Sequence, residues 1–237
     1  MPSWNIHTAH VERVRAEEDL ASLGVADVGC FAFGNVAPDV YVGYMVKDCS
    51  RKIEYRETHF ADPGYVPEPR FWEFWDRYAL PSAGDDGSVS DVTLGAWCHL
   101  VADHVYNHIF NAYIMRIGVA PGERTRVRKQ GDFDLYGRTL DISLTFEPTR
   151  RLIGEAAAFP QYRIDEADVR AAAGVQAQIV QHNLEAHVTG TPTYDLIPRE
   201  MFAEMGETVD ALMLEGLRAY AAHGAQGVSD VRPPWNV

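Results

Sequence analysis

The segment Leu94-Gly-Ala-Trp-Cys-His99-Leu-Val-Ala-Asp103-His104-Val-Tyr-Asn-His108 carries the densest metal-ligating chemistry in the chain. His99 and Asp103 stand four residues apart, so on a helix both side chains leave one face and can share a cation. Leu94, Trp97, Leu100, Val101 and Val105 around them are apolar, which implies a buried helix. A buried carboxylate beside a buried imidazole is costly unless the two are paired or hold a metal. Taken alone, His-x-x-x-Asp is more often a plain hydrogen-bonded pair. Other ligand types precede it: His7 and His10 near the start, Asp39 directly after Pro38, and His59 in Thr-His-Phe-Ala-Asp. Six of the nine histidines fall within the first 108 residues, and imidazole with carboxylate is the donor set of zinc and similar cations.

Helices must position these residues. Val11, Val14, Leu20 and Leu23 fall on helical spacing, predicting a helix over Ile6 to Leu23 stopped by Gly24. A short helix over Cys30 to Val36 is ended by Pro38, which places Asp39 at an element end. Ala61 to Pro69 reads as a loop, Phe71 to Tyr78 as an aromatic helix, and Pro81 to Ser90 as a second loop. The longest helix runs from Val92 to Ile117, capped by Ser90 or Asp91 and closed by Gly118. Further helices are expected within Thr125 to Phe146, Asp165 to Val188 and Ile197 to Ala222. Strand-like alternation is scarce, so the expected class is all-α, with residues 1–237 as one domain.

Composition narrows the function classes. The chain has 237 residues with 34 acidic against 21 basic side chains, a formal charge of −13. That balance opposes binding to a nucleic acid duplex by charge neutralisation and adhesion to anionic lipid. No apolar run approaches the ~20 residues of a membrane span, and Met1 to Leu20 lacks a secretory apolar core, so a cytoplasmic protein is expected. Cys30, Cys49 and Cys98 form no Cys-x-x-Cys motif and cannot all pair within the chain, in keeping with a reducing compartment.

The order of the pieces is more specific than any one of them. Met1-Pro-Ser-Trp-Asn-Ile-His7, Phe33-Gly-Asn-Val-Ala-Pro-Asp39, Thr58-His59-Phe60 and Leu94-Gly95 through His108 follow one another in a pattern that resembles the zinc-dependent phospholipase C family, relatives of the fungal single-strand-specific zinc nucleases. The resemblance covers residues 1 to about 134. It implies a compact, nearly all-α fold with a polar cleft holding up to three zinc ions. It further implies that Asp39, His59, His99 and Asp103 bind one zinc, with Asp103 bridging to a second held by His7 and, in secreted relatives, by the free amino terminus. His10 becomes a neighbour. The third site departs from the pattern: the family uses a histidine about six residues past the bridging aspartate and a His/Glu pair on the next helix. This chain offers His108, one residue short, with Asp132 or Asp134, and His104 and Gln130 as substitutes. The signal peptide whose removal frees the amine in secreted relatives is not evident either.

The resemblance implies hydrolysis of a small-molecule or lipid-headgroup phosphoester, with Asp39 also orienting or deprotonating the attacking water. Zinc suits that reaction because it neutralises phosphoryl oxygens and lowers the pKa of bound water toward ~7. Three Zn²⁺ would take the formal charge from −13 to −7 within one cleft. An HD-type phosphohydrolase is a competitor, but it needs adjacent His-Asp, and Asp103-His104 is reversed. A ferritin-like site needs Glu-x-x-His pairs, which are absent. A non-catalytic helical protein stabilised by metal is the alternative outside enzymes. His182, Glu185 and His187 read as the polar face of an amphipathic helix, and Trp4, Phe71, Trp72, Phe74, Trp75 and Tyr78 as a buried cluster or a cleft wall.

Overall fold

Ser90 starts the central helix by accepting a 3.1 Å hydrogen bond from the Thr93 amide, and no proline interrupts the chain until Gly118 ends it at φ +69°. This helix, α6 (Asp91–Arg116), is buried on every side from Asp91 to Asn107, as expected of a helix that threads a core. Its companions in a computed structural model, which describes residues 2–235, are α1 (Trp4–Glu17), α2 (Val28–Gly34), α3 (Ala37–Val40), α4 (Tyr55–His59), α5 (Phe71–Phe74), α7 (Glu123–Gly137), α8 (Arg150–Ala157), α9 (Glu166–Glu185), α10 (Arg199–His223) and α11 (Ala225–Val228). The described residues contain no strand, and one apolar core runs from Trp4 to Val231. No helix among them is long and apolar enough to cross a membrane.

The crossing of α2 over α6 sets the geometry of the centre. A Cβ built on Gly95 would stand 2.1 Å from the Phe31 carbonyl oxygen, and one on Gly34 would stand 2.3 Å from that of Val92. Only glycine at both positions lets the two backbones approach this closely. Asn35, which follows α2 directly, is thereby held against His99, and α3 presents Asp39 beside it.

Several expected boundaries move. The first helix stops at Glu17, because Glu18 turns to extended backbone; the chain then turns back on itself, with the Val25 amide bonded to Leu20 O, and Leu20 and Leu23 are buried from that turn. Pro38 does more than end α2: with φ already fixed it sits in the first turn of α3, where its missing N–H costs nothing. The helix expected within Thr125 to Phe146 ends at Gly137, and α8 was not anticipated at all. Its cap is plain in retrospect, since Thr149 accepts a hydrogen bond from the Leu152 amide at 3.1 Å. The aromatic helix breaks into α5 and a π-helical turn over Trp75–Ala79. Trp4, Phe71, Phe74 and Trp75 are buried in the core, whereas Trp72 and Tyr78 lie at its margin.

Candidate metal centre

Four elements deliver five ligand-type side chains to one buried locus. Trp4 and His7, three residues apart on α1, face it together; Asp39 arrives from α3, His59 from the last turn of α4, and His99 and Asp103 from successive turns of α6. None of His7, Asp39, His59, His99 and Asp103 is more than 2% exposed. Donor atoms of Asp39, His59 and His99 lie within 4.8 Å of one another, as do those of His7, His99 and Asp103, so two groups of three share His99.

Hydrogen bonding fixes what each atom can offer. His99 Nδ1 lies 3.0 Å from the carbonyl oxygen of Asn35, which can only accept, so Nδ1 carries the proton and Nε2 a lone pair. His59 Nδ1 lies 3.2 Å from the Tyr55 carbonyl and 2.6 Å from the Thr58 hydroxyl, which itself donates to the same carbonyl; Nδ1 is again the donor. The two Nε2 atoms then face each other at 3.1 Å. Carboxylate oxygens surround them: His59 Nε2 is 3.6 Å from Asp39 and 3.4 Å from Asp103, and His99 Nε2 is 4.0 and 3.8 Å from the same pair. These are acceptors directed at acceptors, an arrangement that a bound cation or a shared proton would reconcile. His donating its far nitrogen to a backbone carbonyl is also the usual support of a metal ligand.

The unsatisfied atoms point the same way. His7 stands 3.3 Å from Asp103 but out of hydrogen-bond alignment, and both its ring nitrogens, together with Asp39 Oδ1 and Asp103 Oδ1, are buried without a hydrogen-bond partner. Orphaned buried polar atoms are rare in folded proteins. The other carboxylate oxygens are anchored: Trp4 Nε1 donates to Asp39 Oδ2 at 3.0 Å and the Tyr55 hydroxyl donates to Asp103 Oδ2 at 2.8 Å. Burial is the main reason that the His7 pKa falls to about 3 and that of His59 well below its ordinary value, leaving both rings neutral and able to ligate at pH 7. Burial likewise lifts the Asp39 carboxyl to about 6. Strain marks the site too: Phe60, next to His59, has φ +55° and is the one non-glycine residue with positive φ among those described.

Of the residues considered for a third metal site, His104 and His108 stack with ring centres 5.9 Å apart, but Asp132 and Asp134 do not join them. His108 bonds Glu68 through Nδ1 at 3.0 Å and stacks on Trp235 with ring centres 4.3 Å apart. Asp132 accepts the amides of Asp195, Leu196 and Ile197, which ties α7 to the chain leading into α10. Asp134 lies on the surface and accepts from Gln130, while His104 bonds the Pro69 carbonyl at 2.8 Å. Among the described residues, none of these joins a group of three or more candidate metal donors. The amino-terminal residue considered as a ligand, Met1, lies outside the described residues. His10 is buried away from the centre, with Nδ1 2.6 Å from Asp210. His182 and Glu185 are exposed, and His187 stands 3.8 Å from Asp141.

A cation from the protein itself faces this region. Lys129 on α7 is 3% exposed and donates Nζ to Asn107 Oδ1; Asn107 is one turn beyond Asp103 on α6. Burial lowers its pKa to about 8, and the charge of Asp103 pulls the other way. No carboxylate among the described residues forms an ion pair with it. Sequence reasoning missed Lys129 because lysine is ordinarily a surface residue. Asn35 and Tyr55 were missed as well, although each stands four residues from a candidate ligand, Asn35 before Asp39 and Tyr55 before His59.

Comparison with protein-family models, curated proteins and solved structures finds no match to this chain.

Proposed function

We propose that the protein is a metal-dependent phosphoesterase of the phospholipase C type, with zinc held by His7, Asp39, His59, His99 and Asp103. The observation that carries the reading is the convergence of two Nε2 lone pairs and two buried carboxylates at one locus, where Trp4 and Tyr55 each donate to one carboxylate oxygen and the other two, Asp39 Oδ1 and Asp103 Oδ1, are left without a donor. The ordered resemblance of the ligand segments to that family gives the reaction class. Bound zinc supplies Lewis acidity, polarising a phosphoryl oxygen and acidifying water.

The chain's own groups do the rest. Trp4 fixes one oxygen of Asp39, leaving Oδ1 as the atom that orients the attacking water and accepts its proton. Asn35 and Tyr55 hold His99 and His59 in the ligating tautomer through their carbonyls. Lys129 adds a fixed positive charge on the Asn107 side, suited to an anionic substrate. The alternative of a purely structural metal predicts a closed set of four protein ligands and no exchangeable position.

The test is hydrolysis of p-nitrophenyl phosphate and bis(p-nitrophenyl) phosphate by zinc-loaded protein. Activity removed by a chelator, restored by zinc and reduced at least ~100-fold in Asp39→Asn is expected of a general base. Zinc-loaded protein inactive on both classes, with metal that no added anion perturbs, would leave the structural role in place.

A further inference from the structure

A hydrolytic centre needs a passage for its substrate, yet each of the five proposed ligands is almost completely buried. Among the described residues, Tyr55 both touches a ligand and lines a surface cavity. Its hydroxyl bonds Asp103 at 2.8 Å and its ring stacks on His59 with centres 3.8 Å apart. Tyr55 is also part of the lining of a cavity of about 470 Å³, with Val42, Tyr44, Ile53, Pro63 and Pro67. That volume lies in the range of small-molecule sites.

The charges lining the cavity are mostly paired. Glu54 pairs with Arg56 at 2.7 Å, and Asp62 pairs with Arg70 at 3.0 Å. Lys52, also on the lining, makes no ion pair among the described residues, so its ammonium is free to meet an anionic group although the lining as a whole carries as many acidic as basic side chains. A second cavity of about 400 Å³ is lined in part by Tyr162, whose hydroxyl bonds the Ala37 carbonyl at 3.3 Å.

From this juxtaposition we infer that the cavity over Tyr55 is the substrate subsite, that it takes a small anionic phosphoester of about mononucleotide size, and that the Tyr55 ring is the gate between it and the metal centre. The inference rests on the proposed metal-dependent reading. A polymeric or bilayer-embedded substrate does not suit a pocket of this volume, whereas a single phosphoester can place its organic part against Tyr44 and its charge near Lys52.

The experiment uses full-length protein loaded with Co²⁺, whose visible spectrum reports both release to excess chelator and binding of anions. Tyr55→Ala is expected to speed release at least tenfold, and Tyr55→Phe, which keeps the ring and loses only the hydroxyl bond to Asp103, to speed it by clearly less. Gly64→Trp adds bulk at the cavity lining, at a position where a Cβ meets nothing within 4 Å. It is expected to slow release in the Tyr55→Ala background and to abolish the spectral shift caused by a nucleoside monophosphate while keeping that caused by inorganic phosphate. Release that is indifferent to Tyr55→Ala, or faster in Tyr162→Ala instead, overturns the gate with the metal centre intact. Shifts by both anions that survive Gly64→Trp overturn the subsite. Failure of the wild type to bind Co²⁺ at all removes the metal-dependent reading and this one with it.

Discussion

An imidazole whose Nδ1–H is committed to a backbone carbonyl has only a lone pair left at Nε2, and two such lone pairs 3.1 Å apart repel unless something positive lies between them. His99 belongs to both donor groups, so its removal should weaken both. His99→Ala is expected to lose the rise in melting temperature that zinc gives the wild type, as measured by calorimetry. Acid should unfold the chelator-treated protein early. His104, pushed down by burial to about 4, binds no proton when folded between roughly pH 4 and 6.5, whereas the unfolded chain does. Stability therefore falls as pH drops through that window, by on the order of 3 kcal/mol for this ring at the acid end. Asp39 works against this between about pH 3.8 and 6, because its folded pKa is raised, but His7 acts in the same direction as His104. Urea unfolding at pH 7 and pH 4.5 should show the net loss, and His104→Asn, which keeps a donor toward Pro69, should reduce it. The sequence named, by type and order, five residues that the structure brings to one locus. His108 and Asp134 lie apart from it, and nothing local in the sequence announces that Glu68 pairs with the first or that the second faces solvent.

At the scale of elements, the approach of α2 to α6 is what aims the Asn35 carbonyl at His99. Gly95→Ala places a Cβ 2.1 Å from Phe31 O and must push the helices apart. A cost of roughly 1–3 kcal/mol is expected, read from the urea midpoint. A drop in zinc affinity should accompany it although no ligand has changed, measurable by competition with a chromophoric chelator. Lys129 makes the opposite trade. Holding an ammonium in a buried site with one amide acceptor opposes folding, so Lys129→Met should stabilise the metal-free protein by about 1–3 kcal/mol at pH 7. The same change should weaken phosphate binding at least tenfold, as judged by titration of the cobalt spectrum. Periodicity made α1, α6, α9 and α10 readable to within a few residues at most ends. It failed at α8, which has eight residues, two of them buried in the core, and at Gly137, where α7 ends against the start of α1.

For the molecule as a whole, the charge of −13 describes the surface, while two of the aspartates that enter it are almost wholly enclosed in the core with three imidazoles. Enclosing them without a counter-charge opposes folding, and a ligand that binds only the folded state returns that energy. Zinc at about 1,000 times its dissociation constant contributes ~4 kcal/mol. For a chain of this length, stripping it should lower the melting temperature by roughly 10 °C. The most direct test of the account is the elemental content of protein purified without chelators and then given zinc, measured beside His99→Ala. About two zinc ions per chain, retained through gel filtration by the wild type and largely lost by the variant, is the predicted result. A wild-type protein that retains no transition metal and melts at the same temperature with or without zinc would contradict it.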